Sequence, residues 1–374
     1  MSAFPAWTAC VHSPSEPRSR PDAARGAWAL DADAPEQLWR LLVDSGYFHL
    51  AGRSAEEFAS RKGSFLELSR RTPHLPELLK QTGWHSERGL EATLSIMKPY
   101  RATWLVHQLA RRQGGARFES VPGQMLKDIY VHSVAHAQRD PAFRWLASYV
   151  ESTVPFVQRT HMGFGRRVVR EGQGLLLPLK MRDVACDAAS RLAPTGWELR
   201  PPSSRERAAF GEHLAQARPG CYVEALDLGP EALGFEEAAR PWRDAGLERE
   251  RHLLLARRGG TPRAMAVMEI GPRGANPFQL LDTARLFAWD DGGRGAFPAL
   301  LDAARRWYAA RGREGFVFLA ETAGDDAAAG LPDDTSGAQP YLWLIPAHRA
   351  GDFLQHLHEQ TGSRLLPRNE KEPS

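Results

Sequence analysis

The residues best suited to chemistry lie between Leu286 and Gly312, where an apolar strand, a glycine-rich turn and an amphipathic helix follow one another directly. Residues 286–289 form the apolar run, and residues 290–295 include three glycines. Apolar side chains then recur at helical spacing, at Phe297, Leu300, Leu301, Ala304 and Tyr308. Glycine lets a turn expose its amides, and the first amides of a helix lack intrahelical partners. Because these amides and the helix dipole favour an anion, the segment predicts a phosphate-binding site.

Known phosphate loops differ in how well they fit this turn. A P-loop ends in GK[ST], which residues 295–297 lack, and a dinucleotide fingerprint needs three spaced glycines and a downstream acid. The turn resembles the diphosphate loop of the GNAT acyltransferase superfamily, Q/R-x-x-G-x-G/A, with Asp290, Gly293 and Gly295 at its marked positions. Asp290 departs from the pattern by placing a negative charge near a bound diphosphate. The alternative is an ordinary strand-to-helix turn in which the glycines only permit bending.

The elements around the turn follow the GNAT order over about residues 196–360. The pattern predicts strands at 197–200, 252–257, 264–270, 280–289, 315–320 and 339–345, and helices at 204–217, 230–244, 297–312 and 350–360.

The first half resembles the same superfamily more faintly. The pattern predicts helices at 34–45, 55–68 and 122–136, strands at 89–97, 103–110 and 143–150, and a helix running into a strand at 155–169. Gly163 and Phe164 match the closing segment of GNAT domains, whereas Thr160 or His161 replaces the tyrosine that often serves there as general acid. The loop 119–124 lacks G-x-G.

We therefore expect an α/β (α+β) fold with two tandem GNAT-like domains, each a mixed, mostly antiparallel sheet flanked by helices. The expected division is a flexible arm at 1–26, a degenerate domain at 27–170, a linker at 171–195, a domain with the acyl-CoA loop at 196–366 and a flexible tail at 367–374.

The resemblance implies an acyl-CoA-dependent N-acyltransferase that transfers an acyl group to an amine by direct attack in a ternary complex. The implied co-substrate is acetyl-CoA or a longer acyl-CoA, with no metal. The residues expected to hold it are Phe287, Ala288, Trp289, Gly292, Gly293, Arg294, Gly295 and Ala296. The alternative is a non-catalytic module that binds an acyl-CoA, a nucleotide or a protein partner.

Three residues are candidates for proton transfer. Glu269 is the first choice as base, because a carboxylate at the end of an apolar strand can have a raised pKa. The alternative is that Glu269 only faces solvent at the end of its strand. Asp282 is the second choice, and Tyr341 is a candidate acid or a core aromatic. The amine acceptor is a small molecule or a protein, and acyl carrier protein is a further candidate partner.

Other constellations carry weaker signals. Asp128, His132 and His136 share one helix face, within reach of one metal, but the HExxH pattern is absent and Ser133 stands at the position of its base. Residues 84–88, WHSER, are interpreted as a turn or as part of a cleft.

Composition is that of an ordinary globular protein of two domains, with 374 residues, 43% hydrophobic and 25% charged. No apolar run is long enough to span a membrane or to direct secretion, so the expected location is cytoplasmic. Three scattered cysteines predict no disulfide framework. Lysine occupies only six of the 48 Lys and Arg positions, and no basic stripe interleaved with aromatics predicts nucleic-acid binding.

Overall fold

A computed structural model describes residues 26–29, 34–52, 54–86, 89–112, 122–189, 196–322, 324–332 and 337–362. Its strands are β1 (Gly26–Ala29), β2 (Leu79–Ser86), β3 (Gly89–Tyr100), β4 (Thr103–Arg111), β5 (Trp145–Glu151), β6 (Leu175–Pro178), β7 (Lys180–Ala185), β8 (Glu198–Arg200), β9 (Glu250–Arg258), β10 (Thr261–Ile270), β11 (Thr283–Ala288), β12 (Gly315–Ala320) and β13 (Pro340–Pro346). Its α-helices are α1 (Pro35–Asp44), α2 (Lys62–Arg71), α3 (Pro122–Ala137), α4 (Pro155–Val157), α5 (Gly163–Arg170), α6 (Ser204–Ala217), α7 (Gly220–Ala225), α8 (Glu236–Asp244), α9 (Phe297–Ala309), α10 (Asp325–Ala328) and α11 (Ala350–Gly362).

The strands form two mixed, mostly antiparallel sheets, which confirms the predicted α+β architecture. The first sheet has seven strands in the order β1-β2-β3-β4-β5-β13-β6, and the second has six in the order β7-β12-β11-β10-β9-β8. Each contains one parallel pair, β4 with β5 and β11 with β12. The two sheets repeat one plan, in which a parallel pair sits beside an antiparallel meander.

The two halves exchange strands. β13 comes from the end of the chain but lies between β5 and β6 in the first sheet. β7 follows the first half directly but pairs with β12 in the second sheet. The segment 171–195, predicted as a linker, therefore supplies strands to both sheets, and the boundaries 27–170 and 196–366 do not coincide with the sheets. An apolar run predicts a buried strand but does not tell which sheet will bury it.

In the first half, one predicted strand is wrong and one long observed strand was not predicted. The segment 155–169 does not enter a strand, because α4, a π-helical turn at Gln158–Met162 and α5 continue the helix to Arg170. Phe164 and Val168 lie four positions apart on the buried face of α5, which fits a helix. The sequence reading also missed β2, which pairs with β3 along its whole length.

Some predictions fall outside the described residues. These are most of the arm 1–26, the tail 367–374, Glu87, Arg88, Cys10 and much of the loop 119–124. The two described cysteines, Cys186 and Cys221, are free thiols. None of the helices in the described part of the chain combines the length and the hydropathy that a membrane span needs.

The largest apolar core lies between the halves. It combines Met97, Leu105 and Leu344 of the first sheet with side chains of the second sheet and of helices α6 to α8. Separate cores lie under α3, α5 and α11 on the first sheet and under α9 on the second. One face of β11 therefore turns toward α6 and the first half, and the other toward α9.

Candidate functional site

The second sheet opens into a cleft beside the glycine-rich turn. β11 and β12 are paired only at Thr283 with Val317 and at Ala284 with Phe318, and the two strands then separate. A cavity of about 410 Å³ lies at this opening, a size typical of small-molecule sites. Its walls come from the end of β11, the turn, α6 and the segment after β12: His213, Leu214, Ala217, Arg218, Leu286, Phe287, Ala288, Trp289, Asp290, Asp291, Arg294, Phe297, Thr322 and Asp325.

The turn is a short 3₁₀ helix, Asp291–Ala296, capped by the aspartate that departs from the GNAT pattern. The Asp290 carboxylate accepts a hydrogen bond from the Gly293 amide at 2.9 Å and pairs with Arg263. The hydrogen bond from Arg263 lowers the pKa of this carboxyl, so it is ionised at neutral pH. One amide that the sequence predicted as free for an anion is therefore already bound to an anion of the chain.

The glycines of the turn have different roles. A Cβ on Gly293 would lie 2.1 Å from the carbonyl oxygen of Arg263, so only glycine lets the turn pack on β10. The nearest atom to a Cβ on Gly295 is 3.5 Å away, on the Trp197 ring, an ordinary contact. Gly293 is thus required by close packing, and Gly295 is not.

The predicted donor-binding residues divide into two groups. Phe287, Ala288, Trp289 and Arg294 line the cavity, whereas Gly292, Gly293, Gly295 and Ala296 form the turn beside it. The sequence reading missed the α6 wall, where His213 stacks on Trp289 with ring centroids 5.6 Å apart.

Glu269 lies buried between the halves, not at the cleft. Arg249 and Arg251 donate to its two carboxylate oxygens at 2.8 and 2.7 Å, and the Tyr100 hydroxyl of the first half adds a third partner. Burial raises its pKa, but the guanidinium groups outweigh burial and hold the pKa at about 2. The predicted raised pKa is wrong, and this carboxylate is a poor proton acceptor at neutral pH.

The other two proton-transfer candidates also lie away from the cavity. Asp282 directly precedes β11, at the end of the strand opposite the opening. It lines a separate cavity of about 120 Å³ together with its ion-pair partner Arg313. Burial raises the pKa of Asp282 to about 6. Tyr341 lies in β13 of the first sheet, opposite Val150 of β5. The exchange of strands has moved it out of the second sheet.

A carboxylate that the sequence reading missed lies next to the cleft. Glu321 directly follows β12, and its neighbour Thr322 lines the cavity. Its Oε1 accepts a hydrogen bond from the Tyr222 hydroxyl and lies 3.2 Å from Nε of Arg285. Burial raises the pKa of Glu321, although Arg285 and Arg218 oppose that effect. A charged residue at the end of an apolar strand was the signal that selected Glu269, and it applies equally to Glu321.

In the first half, Thr160 and His161, the two residues at the position of the expected tyrosine, are buried. His161, one of the two residues at the expected tyrosine position, contacts the Tyr130 hydroxyl at 3.1 Å, and Thr160 bonds its other ring nitrogen. Burial lowers the pKa of His161 to about 3, so its ring is neutral.

The predicted helix with Asp128, His132 and His136 forms as α3. His136 contacts the carbonyl oxygen of Pro76 at 2.6 Å. Among the described residues, no group of three His, Cys, Asp or Glu side chains is arranged to hold a metal ion. Trp84 to Ser86 lie in β2 and not in a turn.

The fold is similar to that of solved GNAT structures. A tandem GNAT protein from the clavulanic acid biosynthesis pathway is 14% identical, with 87% of this chain and 99% of that chain covered and a TM-score of 0.42. A GCN5-related N-acetyltransferase from Sphaerobacter thermophilus is 15% identical, with 88% and 97% covered and a TM-score of 0.47. A paia N-acetyltransferase from Thermoplasma acidophilum in complex with coenzyme A is 12% identical, with 41% and 91% covered and a TM-score of 0.29. No protein-family model matches the sequence, and no curated protein matches it.

Proposed function

We propose that the protein is an acyl-CoA-dependent N-acyltransferase whose donor binds in the cleft between β11 and β12. The observation that carries this proposal is the parting of these two parallel strands after two paired positions, beside a glycine-rich turn that leads into α9. Parting the strands leaves the backbone groups of residues 285–288 without partners on β12 and opens the cavity of about 410 Å³.

The cavity suits the arm of an acyl thioester. Phe287, Leu214 and Trp289 give it apolar walls. Arg218 and Arg294 also line it, and each is paired with a carboxylate, Glu321 and Asp325 respectively. A backbone amide of Phe287 or Ala288 would polarise the thioester carbonyl, since amides held in place stabilise an oxyanion. The amide of Trp289 donates instead to the carbonyl oxygen of Arg263 at 2.9 Å. Phosphate groups of the donor would lie at the turn, where Arg294 and the start of α9 favour anions. Acetyl-CoA or a longer acyl-CoA fits this description, as does the arm of an acyl carrier protein.

The acceptor would be an amine of a small molecule or a protein that attacks the thioester directly. Among the described residues, no cysteine lines the cavity to carry the acyl group. Positioning two substrates side by side removes much of the entropic barrier to such a reaction.

Calorimetric titration with acetyl-CoA tests the donor site. Ala217 is exposed on α6 and lines the cavity, so Ala217→Trp would fill the site without burying a new side chain in the core. Ala215 is exposed on the same helix but lies outside the cavity wall, and Ala215→Trp is the matched control. We expect binding at one site that Ala217→Trp abolishes and Ala215→Trp retains. Absent binding, or equal loss in both variants, would refute the proposal.

One observation favours a second candidate, a non-catalytic module that binds acyl-CoA, a nucleotide or a protein partner. The Asp290 carboxylate holds the Gly293 amide and adds negative charge where a diphosphate would lie. Release of free CoA thiol from acetyl-CoA in the presence of amines separates the two candidates, because a binding module releases none.

A further inference from the structure

A further cavity, the interface cavity, has a volume of about 120 Å³ and lies where the two halves meet. The first half contributes Ser60 and Ser64, and the second half contributes the segment 272–282 before β11 and residues 312–314 before β12. It shares no wall residue with the donor cleft. Since a cavity of about 150 Å³ can hold benzene, the interface cavity has room for a small organic molecule.

The inner wall of the interface cavity contains a carboxylate with a free acceptor position. Asp282, whose side chain is only 9% exposed, accepts a hydrogen bond through Oδ1 from the Gly271 amide at 2.9 Å. Its Oδ2 lies 3.2 Å from Nε of Arg313, but no described residue donates a hydrogen bond to it. Because buried carboxylate oxygens normally have donors, Oδ2 indicates a donor that the chain does not supply.

Two opposite charges lie at the mouth of the interface cavity without meeting. Nη2 of Arg273 donates to the carbonyl oxygens of Arg311 and Gly312, whereas its Nε and Nη1 donate to none of the described residues. The exposed Glu314 side chain forms no ion pair within the described part of the chain, with Arg273 or with any other cation. Each of these two charged groups is therefore available to a ligand.

The remaining wall combines an amide with apolar side chains. Gln279 lies in the left-handed region at φ 55°, and its side-chain amide bonds to no described residue. A non-glycine residue in this conformation costs about 1–3 kcal/mol, and such residues are frequent where ligands bind. Phe65, Ala275 and Leu281 supply the apolar surface. The interface cavity thus presents both charges and an apolar wall to one small volume.

We propose that the interface cavity binds a small zwitterionic amino acid with a short apolar side chain. Its ammonium group donates to Oδ2 of Asp282 and to Glu314, and its carboxylate accepts from Arg273. Its side chain lies against Phe65 and Leu281. A ligand with both charges satisfies all three charged groups at once, whereas a simple anion or cation leaves one sign unpaired. This site is independent of the donor cleft and of the proposed acyl transfer.

Calorimetric titration with L-alanine tests the proposal, with propionate and ethylamine as probes that each carry one of its two charges. We expect L-alanine to bind at one site and each single-charge probe to bind about 10- to 100-fold more weakly, the usual contribution of a hydrogen bond to a charged group. Absent binding of L-alanine would show a cavity filled by water alone. Propionate or ethylamine binding as tightly as L-alanine would show a simple ion site. Each of these results would overturn the proposal.

Two pairs of variants locate the ligand. Ser60→Trp would close the mouth of the interface cavity and should abolish L-alanine binding, whereas Ala59→Trp, exposed on the same turn but outside the wall, should retain it. Arg273→Gln should weaken L-alanine binding about 10- to 100-fold and leave ethylamine binding unchanged. Arg240→Gln, an exposed arginine of α8 outside the wall, is its control. Equal effects within either pair would overturn the proposal, and denaturation midpoints without ligand show that the variants fold.

Discussion

Each half of the molecule contains a parallel strand pair that opens at one end, but the two openings are used differently. In the first half, β4 and β5 stay in register over four positions, from Thr103 with Trp145 to Val106 with Ser148. The next residue, His107, meets Asn276 of the second half at 3.1 Å. In the second half, β11 and β12 separate after two positions and border a cavity.

The difference shows how two copies of one fold can have different roles. The segment between β10 and β11 packs into the opening of the first half. There Gln108 donates a hydrogen bond to the carbonyl oxygen of Ala275, and the side-chain amide of Asn276 contacts the buried His107 ring. The first opening has become part of the contact between halves, and the second remains suited to a ligand. Substitutions that separate these two roles therefore test the comparison.

The largest effect is expected from Glu269→Gln, which breaks the contact between the halves. Arg249 and Arg251, both without exposed side-chain surface, would lose their counter-ion, and removing one partner of a buried pair costs about 3–5 kcal/mol. Chemical denaturation at pH 7 measures this loss. Glu314→Gln, an exposed carboxylate, is the control and should leave the free energy of unfolding unchanged.

The same contact predicts a pH dependence. The pKa of Glu269 is about 2 in the folded protein and near its ordinary value of 4.5 when unfolded, so the unfolded state binds more protons between these values. The contribution of Glu269 to stability is complete above the unfolded pKa and is lost as pH falls toward 2. Glu269→Gln should therefore be less sensitive to acid than the wild type, and equal sensitivity would contradict this account.

A smaller effect is expected from Gly293→Ala at the second opening. The added methyl group would overlap the carbonyl oxygen of Arg263, and such overpacking costs about 1–3 kcal/mol. Because the turn must shift, acetyl-CoA binding should weaken as well. Gly295→Ala, whose Cβ would make only an ordinary contact with the Trp197 ring, is the matched control. Equal effects of the two substitutions on binding would show that packing of the turn on β10 does not matter.

The smallest effect is expected from Asn276→Ala at the first opening. It removes a hydrogen bond to His107, whose pKa burial lowers to about 3, and leaves a neutral buried ring nitrogen unpaired. The expected cost is about 1–2 kcal/mol of unfolding free energy, measured by denaturation. Acetyl-CoA affinity should not change, and a change would mean that the first opening takes part in binding.

The sequence was sufficient for the local parts of this architecture. Apolar periodicity located β10, α6 and α9, and the glycines at 292, 293 and 295 located the turn beside the cavity. These features depend on residues close together in the chain. The order of the elements, through its resemblance to the GNAT fold, also predicted two mixed sheets.

Features that depend on long-range contacts could not be predicted. The apolar strand β13 fits either sheet, so its exchange and the displacement of Tyr341 leave no mark on the sequence. Glu269 and Glu321 both end apolar strands, and only long-range contacts distinguish them: Arg249 and Arg251 hold Glu269 between the halves, whereas Arg285 and Tyr222 hold Glu321 next to the cleft. The α6 wall, with His213 and Ala217, is likewise defined by packing.

Hydrogen exchange with and without acetyl-CoA tests the central claim most directly, because it reports on both openings in one measurement. Amides of residues 285–296, at the end of β11 and in the turn, should become more protected when the donor binds. Amides of residues 107–111 and 145–151, at the first opening, should exchange at unchanged rates. Protection confined to the first opening, or none at residues 285–296 at saturating acetyl-CoA, would contradict the account.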